Sequence, residues 1–305
     1  MPAYEEVSHT PLFVYDPVSK KQGLRCGALT CPLDLPVTLL DFFGVEVPAD
    51  MQGVSLLPVI REGAEAHESV LFGFHAGQVA VTDGRYTYFR APLVGQENNC
   101  YDYTLMPTRM RSRFAVSDLR QAQFVDPLPN SKGCRVLKTL ARISYVSPVN
   151  FGTKLYDVEK DPRQKEPIDD PVLEAKMANL LVSAMKAADA PAEQFDRLGL
   201  AVEGEITPEM ILESTRLEEA DQTPDAMGDV KWSQEARNAW RAWSKMMPPE
   251  AMAGVREAVA GVRAASGREN EKMVLDDIIS AVKVMMPPEQ QQQILYFMLT
   301  ISRAD

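Results

Sequence analysis

SVLFGFHAGQVAVTDGRYTYFRA, residues 69–91, contains Asp83-Gly84, the dipeptide that most strongly marks a tight hairpin turn. After that turn Tyr86, Tyr88 and Arg90 alternate with Arg85, Thr87 and Phe89, the period of a strand. The stretch therefore predicts two antiparallel strands. Working outward, TKLYDVEKDP (153–162) predicts a further strand running into a turn. PVLEAKMANLLVSAMKAAD (171–189) predicts an amphipathic helix, with Leu173, Met177, Leu180, Leu181 and Met185 at helical spacing. Asp169-Asp170 precede its Pro171 and are read as capping residues rather than metal ligands. Between these elements, residues 92–135 read as loops with one short helix.

Toward the N-terminus, HTPLFVYD (9–16) reads as a buried strand entered through Pro11. LPVTLLDFFG (35–44) reads as a short helix with Pro36 in its first turn, Gly44 as its stop and Asp34 as its N-cap. Strands and helices mix here, giving an α/β (α+β) region with an antiparallel portion. After about residue 200 strand signals stop. ITPEMILESTRLEEA (206–220) opens a helix at Thr207-Pro208, a loop follows, and residues 230–305 read as helical almost throughout. MMPPE occurs there twice, at 246–250 and 285–289, which predicts a duplicated helical hairpin with Pro248 and Pro287 opening the second helix of each copy. The expected organisation is thus 1–200, a helix and linker over 201–229, and an all-α module over 230–305.

The chain has 305 residues with 45% hydrophobic and 25% charged side chains, an ordinary globular balance that excludes collagen-like or wholly disordered classes. No apolar run is long enough for a membrane span. Acidic side chains number 43 against 32 basic, a net charge of −11, so phosphate backbones are repelled and no nucleic-acid partner is expected. The densest basic run, Arg109, Arg111 and Arg113, is short enough to read as a solvated face. MPAYEEVSHT is acidic where a signal peptide would be basic and then apolar, so a cytoplasmic location is expected. Cys26, Cys31, Cys100 and Cys134 form no C-x-x-C pair and sit apart in sequence from His9, His67 and His75. They read as free thiols, with no metal site and no cofactor in this chain.

YEEVSHTPLFVYDP, then GALTCPLDLPVTLLDFFGVEVPADMQGVSLLPVI, then VTDGRYTYFRAP, YDYTLMPTRMRSRF and KLYDVEKDP resemble, in family order over residues 3–200, the C-terminal part of the sulfatases of the alkaline phosphatase superfamily. The resemblance implies that the first segment opens a strand of a main sheet, that 69–91 belongs to a small antiparallel sheet, and that His9 lies near the mouth of an active site. Cys31, Pro32 and Leu33, and Ala76 and Ala80, depart from the residues usual in that family. A working sulfatase of this kind also needs a C-x-P-S-R or C-x-P/A-x-R nucleophile and paired aspartates around a divalent cation, which together align and stabilise the attacking oxygen. None of the four cysteines stands in that pattern. KWSQEARNAWRAWSKMMPPEAMAGVREAVAGVRAASG in the tail resembles the small helical C-terminal domain of light-independent protochlorophyllide reductase subunits, through Trp232, Glu235, Ala236, Pro248, Arg256, Glu257 and Gly267. No function is carried over from it.

These readings converge on a sulfatase-derived binding or assembly subunit without catalysis of its own. The alternative is the C-terminal half of a split or fragmentary sulfatase whose formylglycine and metal ligands lie on another chain. His9 and His75 are the candidates near a substrate cleft. A protein partner or a second copy is expected to meet the tail at Trp240, Trp243, Met246, Met247, Met285, Met286, Tyr296 and Phe297.

Overall fold

Asp83 builds the expected hairpin: its carboxylate accepts the backbone N–H groups of Arg85 (3.0 Å) and Tyr86 (2.7 Å), and Gly84 takes φ +94°. The computed structural model describes residues 3–93, 96, 99–106, 108, 112–141, 151–214, 232–233, 235–237, 239–240, 243, 252–268, 271–288, 291–292 and 294–296. Around that turn lie not two strands but three: β1 (Val70–Gly73), β2 (Val79–Thr82) and β3 (Tyr86–Arg90). A turn at Phe74–Gln78, closed by Gly77 N–H to Phe74 O at 2.8 Å, divides the first half. β7 (Lys154–Asp157) completes an antiparallel sheet of order β1-β2-β3-β7.

Both faces of this sheet are covered. On one side Val81, Tyr88 and Leu155 meet α5 (Pro171–Ala187) through Met177, Leu181 and Met185, the predicted stripe. Asp170 caps α5 as expected, accepting from Val172 (3.0 Å) and Leu173 (3.1 Å). On the other side Ala80, Phe89 and Tyr156 pack with Tyr4, whose ring stands edge-on to Phe89 at 5.5 Å. A short α1 (Glu5–Ser8) is fixed there by Glu5 N–H donating to Gln164 Oε1 at 2.7 Å.

Residues 92–135 were expected to be loops with one helix. The helix is α4 (Val116–Gln121), but a second antiparallel sheet is also present: β4 (Tyr101–Thr104), β6 (Val136–Leu140) and β5 (Gln123–Val125), in that order. Its strands are three to five residues long and far apart in sequence, so no local hairpin pattern announces them. α6 (Ala192–Leu198) follows α5, and Arg197, buried, donates to Ala76 O (2.9 Å) and Gly77 O (2.7 Å) at the β1–β2 turn. Leu200, Ile206 and Ile211 belong to the same core, with residues 208–214 helical.

The strand expected over 9–16 does not form. No described strand lies beside it to complete a ladder, and Phe13 is 91% exposed, with Leu12, Val14 and Tyr15 exposed around it. It is anchored at both ends: His9 N–H donates to Glu5 O at 3.0 Å, and Asp16 pairs with Arg61 at 3.0 Å. α2 (Asp34–Phe42) forms where expected, and α3 (Leu57–Glu62) follows.

By contact density the chain divides into two compact units, Pro2–Ile211 and Leu212–Asp305. In the second, α7 (Met252–Ala265) packs through Val255 and Val259 on Ile278, Ala281 and Val282 of α8 (Leu275–Met285). Gly267, at φ +69°, lies just beyond the end of α7. Trp232 and Met273 form an isolated parallel bridge, an element outside the all-helical expectation. Met286 is extended ahead of Pro287, as a residue before proline prefers, and Gln291 N–H donates back to Pro287 O at 3.2 Å. The first MMPPE copy, with Met246, Met247 and Pro248, and also Phe297, lies outside the described residues.

Candidate functional site

α2 carries an apolar stripe and a polar one, and their orientation sets the geometry of this region. Asp34, Thr38 and Asp41 recur at helical spacing and clasp the segment 53–57. Asp34 accepts Val54 N–H at 3.0 Å, Thr38 Oγ1 accepts Leu56 N–H at 2.8 Å, and Ser55 donates its hydroxyl to Asp41. The loop can approach because residue 53 is glycine: a Cβ there would stand 2.1 Å from Leu33 O. The other stripe, Leu35, Leu39 and Phe42, together with Phe43 (73% exposed), faces solvent. An amphipathic helix ordinarily buries its apolar side. Here Asp34 and Val37 are the buried residues, while Leu35, Leu39 and Phe42 stay exposed.

Asp34 is therefore not the N-cap the sequence implied. It is the first helical residue, fully buried, and its carboxylate joins three segments by accepting Cys31 N–H (2.7 Å), Val54 N–H (3.0 Å) and His67 Nε2–H (2.9 Å to each oxygen). Burial pushes its pKa up, but these donors outweigh burial and hold it below the usual carboxylate range. Cys31 lies beside it, and burial followed by the Asp34 charge pushes its thiol up. One ligand atom from each of Cys31, Asp34 and His67 falls within 4.8 Å of the others. This corrects the expectation that cysteines and histidines stay apart. His67 stands 36 residues from Cys31, and only the close approach of loop to helix brings them together.

That cluster does not fit the divalent cation a sulfatase uses. Hard cations take oxygen ligands, several of them carboxylates, whereas this set offers one carboxylate, an imidazole and a thiol. No catalytic step is assigned to it.

The predicted cleft histidines serve two different junctions. His9 is exposed at the end of α1, its Nδ1 2.8 Å from Glu5 Oε2, beside an open depression lined by Glu5, Glu6 and Pro11. His75 sits in the β1–β2 turn with Nε2 3.1 Å from Asp102 Oδ1 on β4. Glu5 and Asp102 being their partners, neither histidine is joined to Cys31, Asp34 and His67 in the cluster.

The predicted interface residues of the tail divide. Trp240 and Trp243 are buried in their own unit, Trp240 standing edge-on to Trp232 at 5.5 Å and to Trp243 at 6.5 Å. Met285, Met286 and Ile294 pack partly buried against that cluster, while Tyr296 is 76% exposed. Among the described residues no helix is long and apolar enough to cross a membrane.

A small antiparallel sheet backed by a helix, with the clasped α2 ahead of it, accords with the sulfatase C-terminal region that the sequence resembles. The family described as N-sulphoglucosamine sulphohydrolase, C-terminal, matches residues 2–114. A curated N-acetylglucosamine-6-O-sulfatase of Bacteroides thetaiotaomicron is 46% identical over 58 residues, which is 19% of this chain and 10% of that protein. Residues 2–114 are similar to the C-terminal part of the sulfatases. The chain spans about a tenth of the length of the relative it matches. The match ends at residue 114, so the likeness of the tail to protochlorophyllide reductase subunits rests on its motif alone.

Proposed function

We propose that this chain is a sulfatase-derived binding subunit, without catalysis of its own, that acts by association with a protein partner. The observation that carries this reading is helix α2, whose Leu35, Leu39 and Phe42 stripe faces water beside Phe43. Exposed apolar side chains gathered on one element mark interaction surfaces. The helical unit contributes Val284 and Tyr296 as further exposed positions. The four cysteines are all free thiols, which supports placing the protein in a reducing cytoplasm.

A second reading is favoured by the extended segment 9–16. In it, the partner surface is the nucleophile- and metal-bearing part of a sulfatase, and this region completes a sulfuric ester hydrolase. Leu12 to Tyr15 stand exposed with no ladder, as a strand does when the sheet it joins is contributed from elsewhere.

The test is sedimentation of the full chain, alone and mixed with a sulfatase portion that carries C-x-P-S-R. A complex is expected, and Leu39→Glu with Phe43→Glu should abolish it without altering far-ultraviolet circular dichroism. A complex indifferent to both substitutions removes α2 from the interface. Sulfate-ester turnover by the repurified chain alone, with calcium or manganese, would remove the non-catalytic reading. Turnover gained only in the mixture would establish the second one.

A further inference from the structure

We infer that Cys31, Asp34 and His67 form a binding site for a transition-metal dication of the zinc class, independent of the association reading. Their ligand atoms already lie within 4.8 Å of one another. Around a tetrahedral zinc ion, with ligand bonds of about 2.0–2.3 Å, neighbouring ligand atoms stand about 3.5 Å apart, so a shift of about 1 Å closes the set. Sulfur, imidazole nitrogen and a single carboxylate oxygen together select a borderline-soft ion over calcium or magnesium.

The surroundings match what such a site needs. Backbone N–H groups of Cys31 and Val54 fix the carboxylate, the outer-shell support that orients a ligand. Cys31 and His67 are partly exposed, which leaves an entry path and a fourth position for water. The Cys31 thiol and the Asp34 carboxylate lie beside each other in a partly buried place, where a cation can bind between them. On binding, the thiol releases its proton to solvent, sulfur bonds the ion, and the His67 proton moves from Nε2 to Nδ1 so that Nε2 can ligate.

The test uses the full chain stripped by chelator and titrated with cobalt(II), then zinc. One equivalent should bind and produce the near-ultraviolet thiolate-to-cobalt band, zinc should bleach it, and zinc should raise the thermal midpoint of the chain. Cys31→Ser should remove the band and the thermal shift, and His67→Gln should weaken binding at least tenfold. Cys26→Ser, which changes an exposed thiol outside the cluster, should change neither. A band retained in Cys31→Ser or lost in Cys26→Ser would overturn the ligand set. Zinc that fails to bind, or binds no better than calcium, would overturn the site. Should Cys31→Ser misfold, zinc must still protect Cys31 of the unaltered chain from alkylation while exposed Cys26 and Cys134 react. Equal alkylation of all three would refute the proposal.

Discussion

Asp16 shows how one carboxylate can tie down an otherwise loose segment. Its oxygens receive the Arg61 guanidinium at 3.0 Å and the N–H groups of Val18 (3.0 Å) and Ser19 (3.1 Å). The guanidinium, aided by those donors, holds its pKa well below the usual carboxylate range. A carboxyl whose folded pKa is depressed binds fewer protons folded than unfolded. Its contribution is fully present above the unfolded value of about 4, shrinks as pH falls, and vanishes below the folded value. Asp16→Asn should therefore flatten the acid limb of the urea-midpoint profile between about pH 4 and pH 2. The limb should not disappear, because Asp34 and Asp157 are depressed as well. An unchanged limb would show that the pair adds nothing to folding. At this scale the sequence reading reached Asp170, whose cap is local, and missed the true partners of Asp34. One of those, His67, is a contact across 33 residues that no spacing rule encodes.

Elements with complete local signals were legible. The Asp83-Gly84 turn, the α5 stripe and the α2 boundaries follow from residues that touch their sequence neighbours. The strand over 9–16 failed for the converse reason. Its apolar run is real, but a strand needs an adjacent ladder, and pattern alone cannot supply one. The orientation of α2 was equally hidden, since periodicity gives a stripe without saying which stripe faces inward. Its placement hangs on Gly53. Gly53→Ala would drive a methyl group against Leu33 O, forcing the loop off Thr38 and Asp34. The two released backbone donors cost about 1–3 kcal/mol each. A fall of roughly 2–6 kcal/mol in the stability of the Pro2–Ile211 unit is expected by urea unfolding. An alanine variant as stable as the parent would mean that the loop does not hold the helix.

Over the whole chain, both units pair an apolar core with buried charged groups. The first joins a sheet buried on both faces to helix α5. The second surrounds a buried charge: Asp277 meets Arg263 at 2.8 Å and Arg268 at 2.7 Å, and Arg263 also donates to Glu271 O at 2.6 Å. Removing one member of a buried pair strands the other in a low-dielectric interior, at a cost of about 3–5 kcal/mol. Asp277→Ala should unfold the second unit while leaving the first folded.

The aromatic cluster at Trp232, Trp240 and Trp243 gives that prediction its own readout. These are the three tryptophans of the sequence, and all fall in the second unit, each at most 7% exposed. Their fluorescence is a private channel. In the parent chain emission should sit toward the blue and move red only when residues beyond 211 lose their packing. Asp277→Ala should start red-shifted, while the circular dichroism of the remaining sheet and helix still melts cooperatively. Blue emission from that variant would show that the charge cluster is dispensable. For titrations or mixing experiments on the first unit, the same placement means that tryptophan light stays silent, and any change in it reports the tail.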